Sequence, residues 1–294
     1  MFEKIKANIL FEKLLGRPDI SKAYAMVPSS DSWYETITKV HDSLREIWLL
    51  PHRGISIASH DGLKLCGVYY PGTSDVTVIC VHGYTSHAER EWAFPGLFYN
   101  SLEYNVLIPY QRAHGPSQGK YISFGALEHL DVMKWVEKVN EMNPDGRIII
   151  HGLSMGGGIV LDLAGREMKG VRCLISDAPS VSIEGFFRNV ISDMFKNGRE
   201  KIFNHAICRF EKEFGVKASD FDRIKNASCC KYPLLLSAGS NEQQEEIFES
   251  IKANNPLETT VVILPGCNHG NGMYKQTEMY QKAIREFVRR SIEE

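Results

Sequence analysis

The stretch Arg147-Ile-Ile-Ile-His-Gly-Leu-Ser-Met-Gly-Gly-Gly-Ile-Val-Leu-Asp-Leu-Ala164 joins two periodicities at a single serine. Upstream, the turn-forming run Asn143-Pro144-Asp145-Gly146 opens into the apolar triplet Ile148 to Ile150, the pattern of a buried parallel strand. After Ser154 the spacing lengthens to about 3.6 residues, placing Met155, Ile159 and Leu163 along a helix. Ser154 therefore falls on a strand-to-helix turn, with Gly152 two positions before it and Gly156 two after. So sharp a turn strains its central residue, and a side chain at 152 or 156 would collide with the adjoining strand or helix. The expected result is a hydroxyl exposed at the carboxyl end of a sheet, above a helix N-terminus whose N–H groups stabilise developing negative charge.

The pattern Gly-x-Ser-x-Gly is short enough to arise by chance, and it occurs twice. Gly115-Pro116-Ser117-Gln118-Gly119 also fits, but Gln111-Arg-Ala-His114 separates it from the apolar run at 105–109 and no helical period follows. Context selects Ser154 as the candidate nucleophile and leaves Ser117 as a loop serine.

Outward from this turn, strands and helices alternate. Gly54–Ser59 and Leu63–Tyr70 flank His60-Asp61-Gly62, a hairpin signal. Strands are then expected at Asp75–Val81, Asn105–Pro109 and Val171–Ser176, with helices at Arg90–Leu102, Ala126–Asn140 and Met155–Met168. That rhythm predicts a mostly parallel sheet with helices on both faces. It stops between Ser180 and Lys231, where aromatic-rich helical stretches include Phe186, Phe187, Phe195, Phe210 and Phe214. It resumes with strands at Tyr232–Gly239 and Thr259–Leu264, and helices at Gln243–Ala253 and Glu278–Arg290. Residues 1–50 read as helices, the first with the apolar stripe Phe2, Ile5, Ile9, Leu10 and Leu14 broken at Gly16-Arg-Pro18, the second from about Ser32 as its cap. The expected organisation is an N-terminal helical extension (1–50), an α/β core (51–179 and 232–294) and a helical cap or lid (180–231). For the first helix, packing against the main domain and docking on a membrane surface or partner are both open, since Lys4, Lys6 and Lys13 stand near its apolar residues.

Bulk composition narrows the function classes. With 294 residues, 43% hydrophobic and 24% charged, the chain has the length and apolar content for a buried core. A net charge of −2 gives no electrostatic basis for binding nucleic acid or an anionic membrane. The seven cysteines (66, 80, 173, 208, 229, 230 and 267) lack zinc-ligand spacing, and their odd number suits a reduced, cytoplasmic protein. No apolar run is long enough to span a bilayer.

A serine hydroxyl needs a base within hydrogen-bond reach and an acid to orient that base. His269 is the candidate base, because Gly266-Cys-Asn-His-Gly270 follows the last strand and reaches the carboxyl edge that carries Ser154. His82 and His151 also abut strand ends, but each precedes a glycine and reads as structural.

The order Ser154, acid, His269 resembles that of the α/β-hydrolase fold, in its esterase, lysophospholipase and serine-aminopeptidase-like branch. The resemblance runs from about residue 51 onward, through the hairpin, His82-Gly83, His114-Gly-Pro-Ser-Gln-Gly119, the nucleophile turn, the inserted helices and the histidine loop. It implies an eight-stranded sheet and oxyanion donors in the backbone N–H groups of Tyr84 and Met155. It also implies an acid after the seventh strand, and counting from Gly239 puts Glu242 there. The histidine expected before that glycine is absent, as is the apolar-proline element after the acid, so Asp177 in Ser176-Asp-Ala-Pro179 stands as the alternative acid. The implied activity is hydrolysis of a carboxylic ester in a small acyl substrate, through an acyl-enzyme on Ser154 and with no metal or organic cofactor. Acyl transfer, thioester or amide hydrolysis, and a non-catalytic binding role on the same scaffold are the alternatives.

Overall fold

The structure, a computed structural model, describes residues 2–19, 31–255 and 257–293, with only the backbone at 31–35. Helices α1 (Phe2–Leu15) and α2 (Asp31–Leu49) come first, then the strands β1 (Arg53–Ala58) and β2 (Lys64–Tyr70). The alternating portion runs β3 (Val76–Val81), α3 (Ala88–Ser101), β4 (Asn105–Pro109), α4 (Glu128–Met142), β5 (Arg147–Leu153), α5 (Met155–Leu163) and β6 (Val171–Asp177). Helices α6 (Ile183–Met194), α7 (Arg199–Phe214) and α8 (Arg223–Ala227) interrupt it. It resumes with β7 (Leu234–Gly239), α9 (Glu245–Asn254), β8 (Thr259–Leu264), α10 (Gly272–Lys275) and α11 (Thr277–Glu293).

The eight strands form one sheet in the order β1-β2-β4-β3-β5-β6-β7-β8. The β1–β2 and β2–β4 pairs are antiparallel and the others parallel. This is the α/β-hydrolase fold, with helices on both faces of a mostly parallel sheet. Strand alternation divides the core in two. Ile148 and Ile150 of β5 point to the face covered by α1, α4, α5, α7 and α9, whereas Ile149 points to the face covered by α2, α3 and α11. Both faces are buried, so β5 reads as a continuous apolar run instead of alternating with polar residues.

Three expectations change. Helix α5 ends at Leu163, short of Met168: Ala164 and Arg166 donate to carbonyls only three residues back, a tightening that closes the helix beside Gly165. The stripe drawn along the first helix also splits. Ala7, Leu10, Phe11 and Leu15 face inward, while Phe2, Ile5 and Ile9 face solvent, because apolar residues occupy both sides of α1 and α7 covers only one. Ser32 lies inside α2 instead of capping it, and its side chain is outside the described residues. The two N-terminal helices serve opposite faces of the sheet, α1 packing on α7 and α2 on α3. Among the described residues, no helix is long and apolar enough to cross a membrane.

Candidate active site

Ser154 has φ 59° and ψ −115°, a strained backbone for a residue with a side chain. Its surroundings hold it there: Ser154 N–H donates to the Asp177 carbonyl at 2.9 Å, and the Ser154 carbonyl accepts from the N–H groups of Gly158 and Ser180. The flanking glycines are sterically required. A Cβ on Gly152 would lie 2.1 Å from the Gly156 carbonyl oxygen, and one on Gly156 would lie 2.0 Å from that of Val81.

The His269 Nε2 lies 2.8 Å from Ser154 Oγ, and its Nδ1 lies 2.5 Å from Glu242 Oε2. The carboxylate can only accept, so the proton on the neutral ring belongs on Nδ1, leaving Nε2 to accept from the serine hydroxyl. The hydrogen bond to Glu242 raises the His269 pKa above its usual 6.5, against the opposing effect of burial. The imidazole is nonetheless more than half exposed, whereas the Glu242 side chain is largely buried behind it.

The longer arm of a glutamate is accommodated by a short 3₁₀ turn over Ser240–Glu242, after which Gln243 takes a left-handed conformation at φ 56°. Glu242 Oε1 accepts from Gly239 N–H at 2.9 Å, which leaves Oε2 for the histidine. The acid and histidine loops are stitched together. Asn241 N–H donates to the Cys267 carbonyl, Asn241 Nδ2 to Asn268 Oδ1, and Gly266 N–H to Ser240 Oγ. A Cβ on Gly239 would lie 2.3 Å from the Cys267 carbonyl oxygen, so only glycine permits this crossing.

Asp177, the alternative acid, is not brought to His269 by a hydrogen bond. Its Oδ1 accepts from Ser237 Oγ at 2.8 Å and its Oδ2 from the Tyr280 hydroxyl at 2.7 Å. The Tyr280 oxygen lies 3.2 Å from His151 Nε2, and the Tyr99 hydroxyl 2.8 Å from His151 Nδ1. One assignment satisfies this chain: Tyr99 O–H donates to Nδ1, Nε2–H donates to Tyr280, and Tyr280 O–H donates to Asp177. Burial lifts the Asp177 carboxyl to about 6 and drives His151 down to about 3. This network fixes the side chain of Asp177, whose backbone carbonyl accepts from Ser154 N–H.

Ser117 is also committed elsewhere. It is buried, donates to the Tyr110 carbonyl at 2.5 Å and accepts from Cys66 N–H at 2.9 Å.

The backbone after β3 passes close to the nucleophile, since a Cβ on Gly83 would stand 3.3 Å from that of Ser154. Among the described residues, neither the Tyr84 nor the Met155 backbone N–H has an acceptor. His82 fixes the loop, its Nδ1 lying 2.8 Å from the Gly83 carbonyl and its Nε2 accepting from Gln111 N–H. Glu91 was not singled out in the sequence, yet its Oε1 accepts from Gly83 N–H at 2.6 Å. Burial raises this carboxyl to about 7, outweighing its hydrogen bonds to Ser86 and Gly83. No motif marks Glu91; it is one of several charged residues opening α3. The Tyr84 ring forms an aromatic group with Phe124 and Phe186, the latter two stacked at 4.0 Å.

The described residues hold one cluster with metal-ligand geometry, His60, Asp61 and Asp131. The Arg112 guanidinium already binds both of its carboxylates, at 2.7 and 2.8 Å for Asp131 and 3.0 and 3.1 Å for Asp61, so the cluster is an ion-pair network.

Comparison with known proteins agrees with this fold. Residues 72–223 match the family described as serine aminopeptidase, S33. The uncharacterized protein YqkD of Bacillus subtilis (strain 168) is 34% identical over 257 residues, covering 84% of this chain and 83% of its own. The Pyrococcus furiosus esterase Pf2001 superposes with a TM-score of 0.66 at 25% identity, over 84% of this chain and 93% of that one. Est1E from Butyrivibrio proteoclasticus, solved with ferulic acid bound, shares the fold at 19% identity, with a TM-score of 0.61 over 82% and 100% of the two chains. On these matches, and on the sheet order described above, the chain belongs to the serine aminopeptidase S33 family of α/β hydrolases.

Proposed function

We propose that this protein is a serine hydrolase that cleaves carboxylic esters through an acyl-enzyme. The observation that carries the reading is the aligned series Ser154 Oγ, His269 Nε2, His269 Nδ1 and Glu242 Oε2, with contacts of 2.8 and 2.5 Å, on a strained turn. Ser154 Oγ attacks the ester carbonyl carbon as its proton passes to His269 Nε2. The carbonyl oxygen takes up the electron pair and is held by the N–H groups of Tyr84 and Met155. Collapse of this intermediate expels the alcohol, which takes the proton from His269. Water then attacks the acyl-enzyme with His269 as base, releasing the acid and restoring Ser154.

Glu242 holds the ring in the tautomer this sequence needs and stabilises the imidazolium it forms. The aromatic group of Tyr84, Phe124 and Phe186 beside the oxyanion loop supports an apolar group on the substrate, and the likeness to an esterase supports the choice of bond. Helices α6, α7 and α8 act as the cap in this reading, with α1 packed on α7 as its outer layer.

Hydrolysis of nitrophenyl esters over a series of acyl lengths tests the proposal. The wild type turns over, and Ser154→Ala loses on the order of 10⁴-fold or more in kcat. Equal turnover by both proteins overturns it.

A further inference from the structure

Helix α1 is apolar on two opposite sides. Its inner side packs under α7, yet Phe2, Ile5 and Ile9 remain 75, 49 and 64% exposed. At 100° per residue these three follow one stripe along the helix, flanked on one side by Lys6 and Lys13. On the other flank Glu12 is held by Arg209 and the Tyr121 hydroxyl. The outward side therefore presents an apolar stripe with a basic border on a chain whose net charge is −2.

The helix is also tied to the candidate active site. The Tyr84 hydroxyl donates to the Leu14 carbonyl, and Ile122 N–H donates to that of Leu15 at 2.7 Å. Just beyond the helix, Arg17 binds the carbonyls of Gly115, Ser117 and Gly119. The end of α1 is thus fixed against Tyr84, the neighbour of Gly83, which stands beside Ser154.

We propose that the outer face of α1 docks on a lipid surface bearing anionic headgroups, with Phe2, Ile5 and Ile9 entering the acyl boundary and Lys6 and Lys13 meeting the headgroups. A stripe of three side chains on one helix is far smaller than the ~800 Å² per partner of a standard protein interface. Shallow insertion of an exposed helix face into the headgroup region, by contrast, scales with the apolar area buried plus the attraction of basic residues to anionic lipid, and this stripe with its one basic border offers both. Docking stands independently of the proposed reaction; that the docked protein draws a lipid ester towards Ser154 rests on the ester-hydrolase reading.

The test is flotation of the full-length protein with phosphatidylcholine vesicles, with and without phosphatidylglycerol. The wild type floats with the anionic vesicles, and Ile5→Gln/Ile9→Gln reduces the bound fraction at least about tenfold. Lys6→Gln/Lys13→Gln removes the preference for phosphatidylglycerol. Turnover of a soluble short-chain nitrophenyl ester and thermal unfolding stay unchanged in the Ile5/Ile9 variant, which touches no catalytic group. Flotation without any esterase activity in the wild type upholds docking and defeats the ester-hydrolase reading. Failure of the wild type to float, equal flotation by the Ile5/Ile9 variant, or a wild-type dimer that this variant converts to monomer overturns the proposal; the last outcome assigns the face to a second copy of the chain.

Discussion

Ser154, His269 and Glu242 lie on three loops that follow β5, β8 and β7, and two short contacts join them. Because Glu242 raises the His269 pKa and the base must be neutral, kcat/KM is expected to rise with pH through a value above 6.5. Glu242→Gln removes the charge that favours imidazolium, so this limb moves to lower pH and kcat falls by about 10³–10⁴-fold; pH–rate profiles of both proteins check it. Glu91 makes a different prediction. Its folded pKa of about 7 lies above the ordinary 4.5, so the folded state binds this proton more tightly than the unfolded chain does. The associated stability is fully present below pH 4.5 and is lost as pH rises through 7. Glu91→Gln keeps an acceptor for Gly83 N–H without the titration, so denaturant unfolding between these pH values should show a shallower decline than in the wild type.

At the scale of elements, the excursion between β6 and β7 is anchored at its base. Ser182 and Asp222 form a bridge, and the fully buried Arg223 pairs with Asp162 of α5 at 2.8 Å. The same guanidinium donates to the Ser180 and Phe124 carbonyls, and Gly158 leaves room for it. Arg223→Ala would leave Asp162 buried without its countercharge, with only the Asn226 amide as a donor, at a cost of about 3–5 kcal/mol in unfolding free energy. Asp162→Ala/Arg223→Ala together should cost less than the sum of the two single changes, as a double-mutant cycle would show. None of this was legible in the sequence, where Arg223 is one cation in a polar helical stretch whose partners lie far along the chain. Glu242 was legible only by counting from Gly239, because the turn that brings its longer side chain to the histidine is a matter of backbone geometry. The loss of the helix expected at 164–168 is likewise local, since apolar spacing continues past Gly165 while the backbone closes.

For the whole molecule, what could be read was what the hydrophobic period encodes. Strand β5 and the turn after it declared themselves through an apolar run, a change of period and glycines where side chains collide. The same logic located the sheet. It did not show which face each N-terminal helix would cover, because α1 carries apolar residues on both sides and only the packing of α7 selects one. Nor did it show Glu91 or the chain from Tyr99 through His151 and Tyr280 to Asp177, since polar networks formed by distant residues leave no periodic trace. In the proposed mechanism Ser154 is a nucleophile activated by His269. Mass spectrometry after treatment with a fluorophosphonate tests it most directly. One covalent adduct, mapped to the peptide containing Ser154, absent from Ser154→Ala and formed far more slowly in His269→Ala, is the predicted result; no adduct in the wild type, or one mapped elsewhere, would contradict it.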